Sequence, residues 1–431
     1  MKILLIIPGS GDTFYCGNCF RDNLYAQALR NAGQDVVIMP LYLPLTDKSF
    51  QANTPLFFPA TSYYVAQKYF GKGKMPRFFE KILNTPSVLR LASSLSGTTS
   101  AKGMEQMTLS MIKGDDRNFS KQTEKLIHWI VNNDKPDVIH LSSSLLIGIA
   151  KAIKNQINIP IICSLQDEEV WINSLDNKFA QEAWEAIGQN SKYIDRFVAS
   201  SEFYKSAVLK KLPEINEVNV VYPGVNVEKY QSPFHKEKET FPSFGGTKEG
   251  FPTIGFFYRI TYEHGLDILA QAFIRLKSEN TIPNLKLKIG GGYTRENKHF
   301  VNHIRKILKP YINDVIWSVH YNIEEHTTFY RDISLICVPL RFSEAVGLYI
   351  CEAFAAGKPA VVPNIGSFGE IVESAGLLYE PNESKRLTET LRKLLTDNAL
   401  YENCKENALR LSYEKYSDKI SAESLLKIYQ S

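Results

Sequence analysis

RFSEAVGLYICEAFAAGKPAVVPNIGSFGEIVE, residues 341–373, sets two carboxylates, Glu344 and Glu352, around seven intervening residues and a glycine turn. The apolar run before them, Ile333 to Leu340, predicts a buried strand, and Leu348 to Ala356 carries apolar residues at helical period. Gly347 opens that helix. A strand that passes through a glycine into a helix start leaves backbone N–H groups facing outward, an arrangement that holds phosphates and other anions, so Val346, Gly347 and Leu348 are expected to touch such a ligand. Glu352 falls about one turn into the helix and is expected to point toward the same mouth. Beside an anion site a carboxylate is a poor phosphate ligand, but it accepts hydrogen bonds from ribose or hexose hydroxyls. The stretch therefore predicts a nucleotide-sugar cradle. The alternative, that both glutamates lie on solvated helix faces, is the usual fate of such residues. It loses ground because AAGKPAVV reads as helix end, glycine stop, proline and buried strand, and IGSFGE then returns a second glycine turn, Gly366 to Glu370, to the same strand ends.

On these residues the chain resembles glycosyltransferase family 4, of the two-domain GT-B type, in which a Glu-x7-Glu motif of this form binds the donor. The likeness extends over nearly the whole chain, strongest from Thr253 to Glu373 and weakest from Leu41 to Lys121. It implies an α/β fold of two facing Rossmann-like, doubly wound domains, with a last helix crossing back to the first. It also implies a nucleotide-sugar donor and transfer with retention of anomeric configuration. No metal, no cofactor and no dedicated protein nucleophile are expected.

Composition agrees with two domains. A chain of 431 residues with 44% hydrophobic content has material for two ordinary cores, and a single core rarely grows so large. The net charge of +4 is too mild for a nucleic-acid footprint, though it permits weak attraction to acidic membranes. Met1 to Pro8 is too short for a signal segment and reads as a first buried strand; no run approaches membrane-spanning length. Six cysteines scattered over this length make no secreted disulfide framework, so the expected location is cytoplasmic, with the inner face of the membrane as its furthest extension. Cys16-Gly-Asn-Cys19 is a lone C-x-x-C without a second pair or histidines at ligand spacing, and is read as packing the turn into the first helix.

Short apolar runs alternate with amphipathic helices: Lys2 to Ile7, a helix to about Asn31, then Asp35 to Pro40, Asp137 to Leu141, Ile159 to Leu165, Asp195 to Ser200 and Val218 to Tyr222. After a charged, Pro- and Gly-rich linker the alternation resumes at Pro252 to Tyr258, Leu285 to Ile289, Val315 to Ser318, Ile333 to Pro339 and Ala360 to Pro363. Each set predicts a parallel sheet covered by helices. The domains so drawn are 1–224, the acceptor side, with a helical insert at about 41–121; a linker, 225–250; 251–410, the donor side; and a returning helix, 411–431. The insert, rich in aromatics and lysine, reads first as a helical subdomain packing inward, and functionally as an acceptor or peripheral membrane platform.

In open α/β sheets ligands sit beyond the carboxyl ends of the strands. Pro8-Gly-Ser-Gly-Asp12 lies there, and Gly11 is expected to bring backbone amides to a diphosphate or acceptor; without G-x-G-x-x-G it gives little support to a nicotinamide cofactor. In FFYRITYEHGLDIL the family usually has G-R-x-x-x-x-K-G, with Arg and Lys on the donor diphosphate. Arg259 matches that arginine, and a planar guanidinium suits two phosphate oxygens of a departing group. His264 replaces the lysine, and an ordinary imidazole would supply a partial positive charge at neutral pH. In CSLQDEEVW many members have a histidine where this chain has Gln166, whose amide binds hydroxyls but exchanges no protons. Gln166, Asp167 and Glu168 are the expected acceptor contacts, with Asp167 also the better catalytic candidate beside Arg259 and Glu344; the competing reading has the acidic residues cap the next helix. VYPGVNVEKY stands where the family commonly has P-N-G-V-D, and Gly224 permits a tight turn there.

The leading function is thus transfer of a sugar from a nucleotide sugar to a glycan, glycolipid or lipid-linked acceptor. A GT-B sugar phosphorylase or epimerase, and a non-catalytic sugar-nucleotide-binding protein, remain as alternatives. No nucleic-acid partner is expected.

Overall fold

The computed structural model describes residues 1–9, 17–42, 104–115, 117–133, 135–231, 251–318 and 326–431, without the side chains of residues 18, 19, 117, 118 and 121. Gly11, Cys16, the side chain of Cys19, most of the insert and the linker from 232 to 250 lie outside the described residues. Two compact units account for the chain: residues 1–12, 25–221 and 422–431 form one, and residues 13–24 and 222–421 the other.

The first unit is built on β1 (Lys2–Ile7), β2 (Asp35–Pro40), β3 (Val138–Leu141), β4 (Ile161–Leu165), β5 (Arg196–Ala199) and β6 (Val218–Val220), in the order β2-β1-β3-β4-β5-β6. Every pairing is parallel. β3 and β4 are buried at every position and β1 at all but its first, as expected of strands covered on both faces. Ile3, Leu5, Ile7, Ile38, Val138, Ile162 and Val198 make one core, closed by Ala422, Leu425 and Tyr429 of the last helix, Asp418–Gln430.

The second unit carries β7 (Thr253–Phe257), β8 (Lys286–Gly290), β9 (Val315–Ser318), β10 (Leu335–Ile336), β11 (Ala360–Pro363) and β12 (Gly376–Tyr379), ordered β12-β11-β10-β7-β8-β9 and again parallel. From β7 the chain runs outward through β8 and β9, then returns to the other side of β7 at β10. The carboxyl ends of β7 and β10 therefore flank a topological switch, where a crevice opens between oppositely wound halves.

Two strands differ from the sequence reading. The apolar run Ile333 to Pro339 pairs as strand only at Leu335 and Ile336, after which Leu340 N–H turns back to Val338 O. The strand Gly376–Tyr379 was not expected: four residues are too few for a period to show, and its glycine is demanded by the backbone of β11, since a Cβ there would stand 2.0 Å from Ala360 O.

Candidate functional site

The residues after β7 and β10 meet at the switch. Gly347, at φ +71°, ends the loop and caps the helix Leu348–Ala355. Among the described residues the N–H groups of Val346, Gly347 and Leu348 have no acceptor, as the first positions of a helix must. Behind them the second glycine turn braces the loop: Ser367 N–H donates to Glu344 O over 3.2 Å, and a Cβ on Gly366 would stand 2.8 Å from Glu344 N. Glu344 is buried, and Tyr258 Oη donates to its Oε1 over 2.6 Å. Its second oxygen is turned toward the helix start, 3.6 Å from the Cβ that Gly347 lacks.

Tyr258 is the joint of the site. Its ring stacks on His264 at 4.4 Å between centroids and meets Tyr349 edge-on at 5.4 Å, so one side chain connects the end of β7 to the carboxylate beyond β10. Arg259 follows directly and is 5% exposed. Burial pulls its guanidinium below the ordinary arginine value, opposed by Glu296, Glu263 and Tyr258, and it remains a cation at neutral pH. Alongside, β8 ends in three glycines, of which Gly291 lies at φ +104° because a Cβ would stand 2.2 Å from Tyr258 O. Ile260 N–H donates to Gly292 O over 2.9 Å, which ties the Arg259 loop to that run.

His264 is corrected by the structure. Thr261 Oγ1 donates to Glu263 Oε2 at 2.5 Å and also lies 2.7 Å from His264 Nδ1. A hydroxyl has one proton, so with that proton spent on the carboxylate, Nδ1–H must be the donor to the threonine oxygen and Nε2 carries the lone pair. Burial, with Arg259 adding to it, drives the imidazole down to about 3. His264 is therefore neutral here and not the partial cation expected from an unperturbed ring. Arg341 holds the loop in place through two bonds to Asp267, 2.9 and 2.7 Å, and by donating its N–H to Glu263 O.

Glu352 also departs from expectation. Its carboxylate is fully enclosed and does not face the mouth at Gly347. Tyr230 Oη donates to Oε1 over 2.9 Å, Tyr330 Oη to Oε2 over 2.7 Å, and His326 Nε2 stands 3.0 Å from Oε1. The tyrosines come from two separate short helices, Val227–Gln231 and His326–Arg331, which the glutamate binds to its own helix. Nothing in the spacing of Glu352 signals these partners.

In the other unit, Gln166, Asp167 and Glu168 follow β4. Gln166 donates through Nε2 to Ser142 O, while its buried Oε1 has no hydrogen-bond partner among the described residues. Asp167 sits at the N-cap position in the left-handed region, φ 51°, and makes no side-chain cap bond, so the capping alternative fails for it. Glu168 is 1% exposed and accepts from Ser143 Oγ, Ser144 N–H and Gln166 N–H at 2.6–3.0 Å, while Tyr204 Oη, 2.7 Å from its Oε2, shares one proton between it and Glu169 Oε2 at 2.6 Å. With both oxygens engaged, it joins the loops after β3 and β4 and has no oxygen to offer a ligand. The sequence reading missed Tyr258 and Gly290 to Gly292; the triple glycine at a strand end was the visible signal, whereas a tyrosine beside an arginine carries none.

Residues 237–411 match the model of the family described as glycosyl transferases group 1. Among similar proteins, the uncharacterized glycosyltransferase MJ1607 of Methanocaldococcus jannaschii is 25% identical over 322 residues, 72% of this chain and 79% of that one. The lipopolysaccharide core biosynthesis mannosyltransferase LpsB of Rhizobium meliloti is 24% identical over 219 residues, 49% of this chain and 60% of its own. Of solved structures, Anabaena Alr3699/HepE in complex with UDP superposes over 100% of both chains with a TM-score of 0.66 at 17% identity. Sucrose-phosphate synthase from Thermosynechococcus elongatus does so over 100% of this chain and 98% of that one, at 0.68 and 15%. The two six-stranded parallel sheets are thus those of the GT-B fold. From residue 237 to residue 411, the stretch that holds Arg259, His264, Glu344 and Glu352, the chain carries a glycosyl transferases group 1 domain.

Proposed function

We propose that this protein is a retaining, metal-independent glycosyltransferase of family 4 that moves a hexose from a nucleotide sugar to a glycan or lipid-linked acceptor. The observation that supports it best is the meeting, at one strand switch, of Arg259, Glu344 and a glycine-opened helix start whose first amides lack acceptors among the described residues. In this reading the diphosphate lies on the amides of Val346 to Leu348 and against Arg259, and Glu344, aligned by Tyr258, accepts from sugar hydroxyls. The anomeric carbon exchanges its bond to the diphosphate oxygen for one to the acceptor oxygen on the same face, and the acceptor's proton leaves on the diphosphate. Arg259 stabilises the charge that develops on that leaving group. Residues 251–410 serve the donor and residues 1–224 the acceptor, with Gln166 and Asp167 as acceptor contacts. Glu352 reaches the ribose in this scheme only if Tyr230 and Tyr330 give way. We place the reaction in the cytoplasm. The UDP held by the Anabaena neighbour makes a uridine nucleotide the first donor to try.

A non-catalytic sugar-nucleotide-binding protein is the second reading, favoured by the neutral His264 and by an amide at Gln166. Calorimetry with UDP-, GDP- and ADP-sugars followed by a donor-hydrolysis assay separates the two. Binding and turnover, both reduced at least tenfold in Arg259→Ala, are expected. Binding without turnover selects the second reading; no binding of any nucleotide sugar overturns both.

A further inference from the structure

We propose that the helix Lys298–Leu308 and the turn after it form a docking face for a membrane surface rich in anionic lipid. The helix buries Val301, Ile304 and Leu308 against its own unit, which leaves the other side to solvent. Lys298, Arg305 and Lys309 follow one another at seven and four residues, a spacing that lines them up along one edge of a helix, and Lys306 flanks them. All four are exposed, as is Arg295 one turn earlier. Residues 295–309 hold these five cations against a single acid, Glu296, a net +4 that equals the charge of the entire chain. Among the described residues none of the five has a carboxylate within ion-pair distance, and Asp314, the next acid along, is taken by Lys277 at 2.8 Å.

Charge alone would fit any polyanion. The apolar groups at the end of the stripe favour lipid. Ile312, in the turn that follows, is 70% exposed, the highest value among the large hydrophobic residues of the described chain. Trp317 is half-buried on the edge strand β9, and Arg305 lies over its ring at 5.1 Å. An exposed isoleucine gains from the acyl boundary and nothing from a nucleic acid or an acidic polysaccharide, and tryptophan is enriched at the headgroup level. Each cation near an anionic surface is worth roughly fivefold in partitioning, so three together give about a hundredfold. At its start the helix touches the loop of His264, since Phe300 meets Tyr262 edge-on at 6.2 Å. Docking would therefore bring the lipid surface beside the candidate site. The inference does not depend on the proposed transfer reaction, and its test needs no turnover.

The test is flotation of the full chain with phosphatidylcholine vesicles, alone or with about one third phosphatidylglycerol, at about 0.1 M salt. The protein is expected to float with the anionic vesicles only, and less as salt rises. A K298E/R305E/K309E variant, its fold checked by unchanged thermal unfolding, should lose partitioning by about a hundredfold or more. Ile312→Ser, which leaves the charge intact, should lose severalfold. Equal flotation of the charge variant and the wild type overturns the proposal, as does failure of the wild type to float. If dextran sulfate or polyuridylate strips the protein from vesicles while Ile312→Ser floats normally, the stripe is a polyanion site and the membrane reading is likewise overturned.

Discussion

At position 264 an imidazole stands where the resembled family usually has a lysine. Burial, with Arg259 adding to it, keeps the ring neutral, and because Thr261 spends its proton on Glu263 the neutral ring donates through Nδ1. The unfolded chain protonates this ring near its ordinary value of 6.5 and the folded chain only near 3. Stability from this group is therefore complete above about 6.5 and is lost as the pH falls toward 3. His264→Gln, which keeps a donor for Thr261 but cannot titrate, should gain on the wild type by about 2 kcal/mol between pH 7 and pH 5. Urea unfolding at the two pH values measures this, and a constant difference sinks the assignment. Tyr258→Phe tests the joint from the other side. Loss of one hydrogen bond to Glu344 is expected to weaken binding of a nucleotide sugar about fivefold while leaving the nucleoside diphosphate unaffected. Equal losses for both ligands would show that Glu344 does not read the sugar. The placement of Arg259 after β7 and of Glu344 after β10 was legible in the sequence, because the apolar runs before them mark the strand ends. The tautomer of His264 was not, since it depends on Glu263, whose carboxylate shows no sign in the sequence of which hydroxyl it will hold.

Elements were legible in proportion to their length and burial. β1, β7 and β11 are apolar runs between glycines, prolines or charges, and the sequence marks them to within a residue or two. β10 shrank and β12 went unseen because in each the backbone obeys a neighbour more than its own composition. Gly265 shows how tight such contacts are: at φ +72° it caps the helix Leu266–Glu279, and a Cβ would stand 1.9 Å from Pro339 O. Gly265→Ala should cost about 3 kcal/mol or more, from backbone strain and the displaced β10 loop together, and a variant as stable as the wild type in urea would contradict the packing described. Glu168 belongs to the same scale. A carboxylate after a strand suggested a ligand contact, yet its partners come from the segments after β3 and β4 and from the helix Glu202–Lys211, and only the fold brings them together. Glu168→Gln places an amide N–H against at least one of those donors, with an expected loss of about 2–4 kcal/mol in stability. Nucleotide affinity should not change, and a variant of full stability with altered ligand binding would restore the acceptor role.

For the molecule as a whole, the alternation of strand and helix announces two sheets, and nothing in SAESLLKIYQ says against which of them the final helix rests. An amphipathic spacing specifies that one face is buried; the choice of partner is made by complementarity with a surface hundreds of residues away. Here Ala422, Leu425 and Tyr429 enter the core of the first unit beside Ile3, Val138 and Ile162. Tyr429 Oη lies 2.6 Å from His140 Nδ1, whose other nitrogen is 2.8 Å from Ser164 Oγ, so the end of the chain is hydrogen-bonded across β3 and β4. Leu425 is fully buried, and Leu425→Ala should cost about 3 kcal/mol from lost burial and the cavity left behind. Tyr429→Phe should cost about 1–2 kcal/mol by stranding a buried imidazole nitrogen. Because each unit closes its own core, the damage should be local: native-state hydrogen exchange in Leu425→Ala should quicken in β1, β3 and β4, hundreds of residues from the substitution. The helix Leu348–Ala355, much nearer in sequence, should keep its protection. Faster exchange there, with β1 and β3 unaffected, would mean that the last helix stabilises the second unit instead, and the division of the chain into these two cores would be wrong.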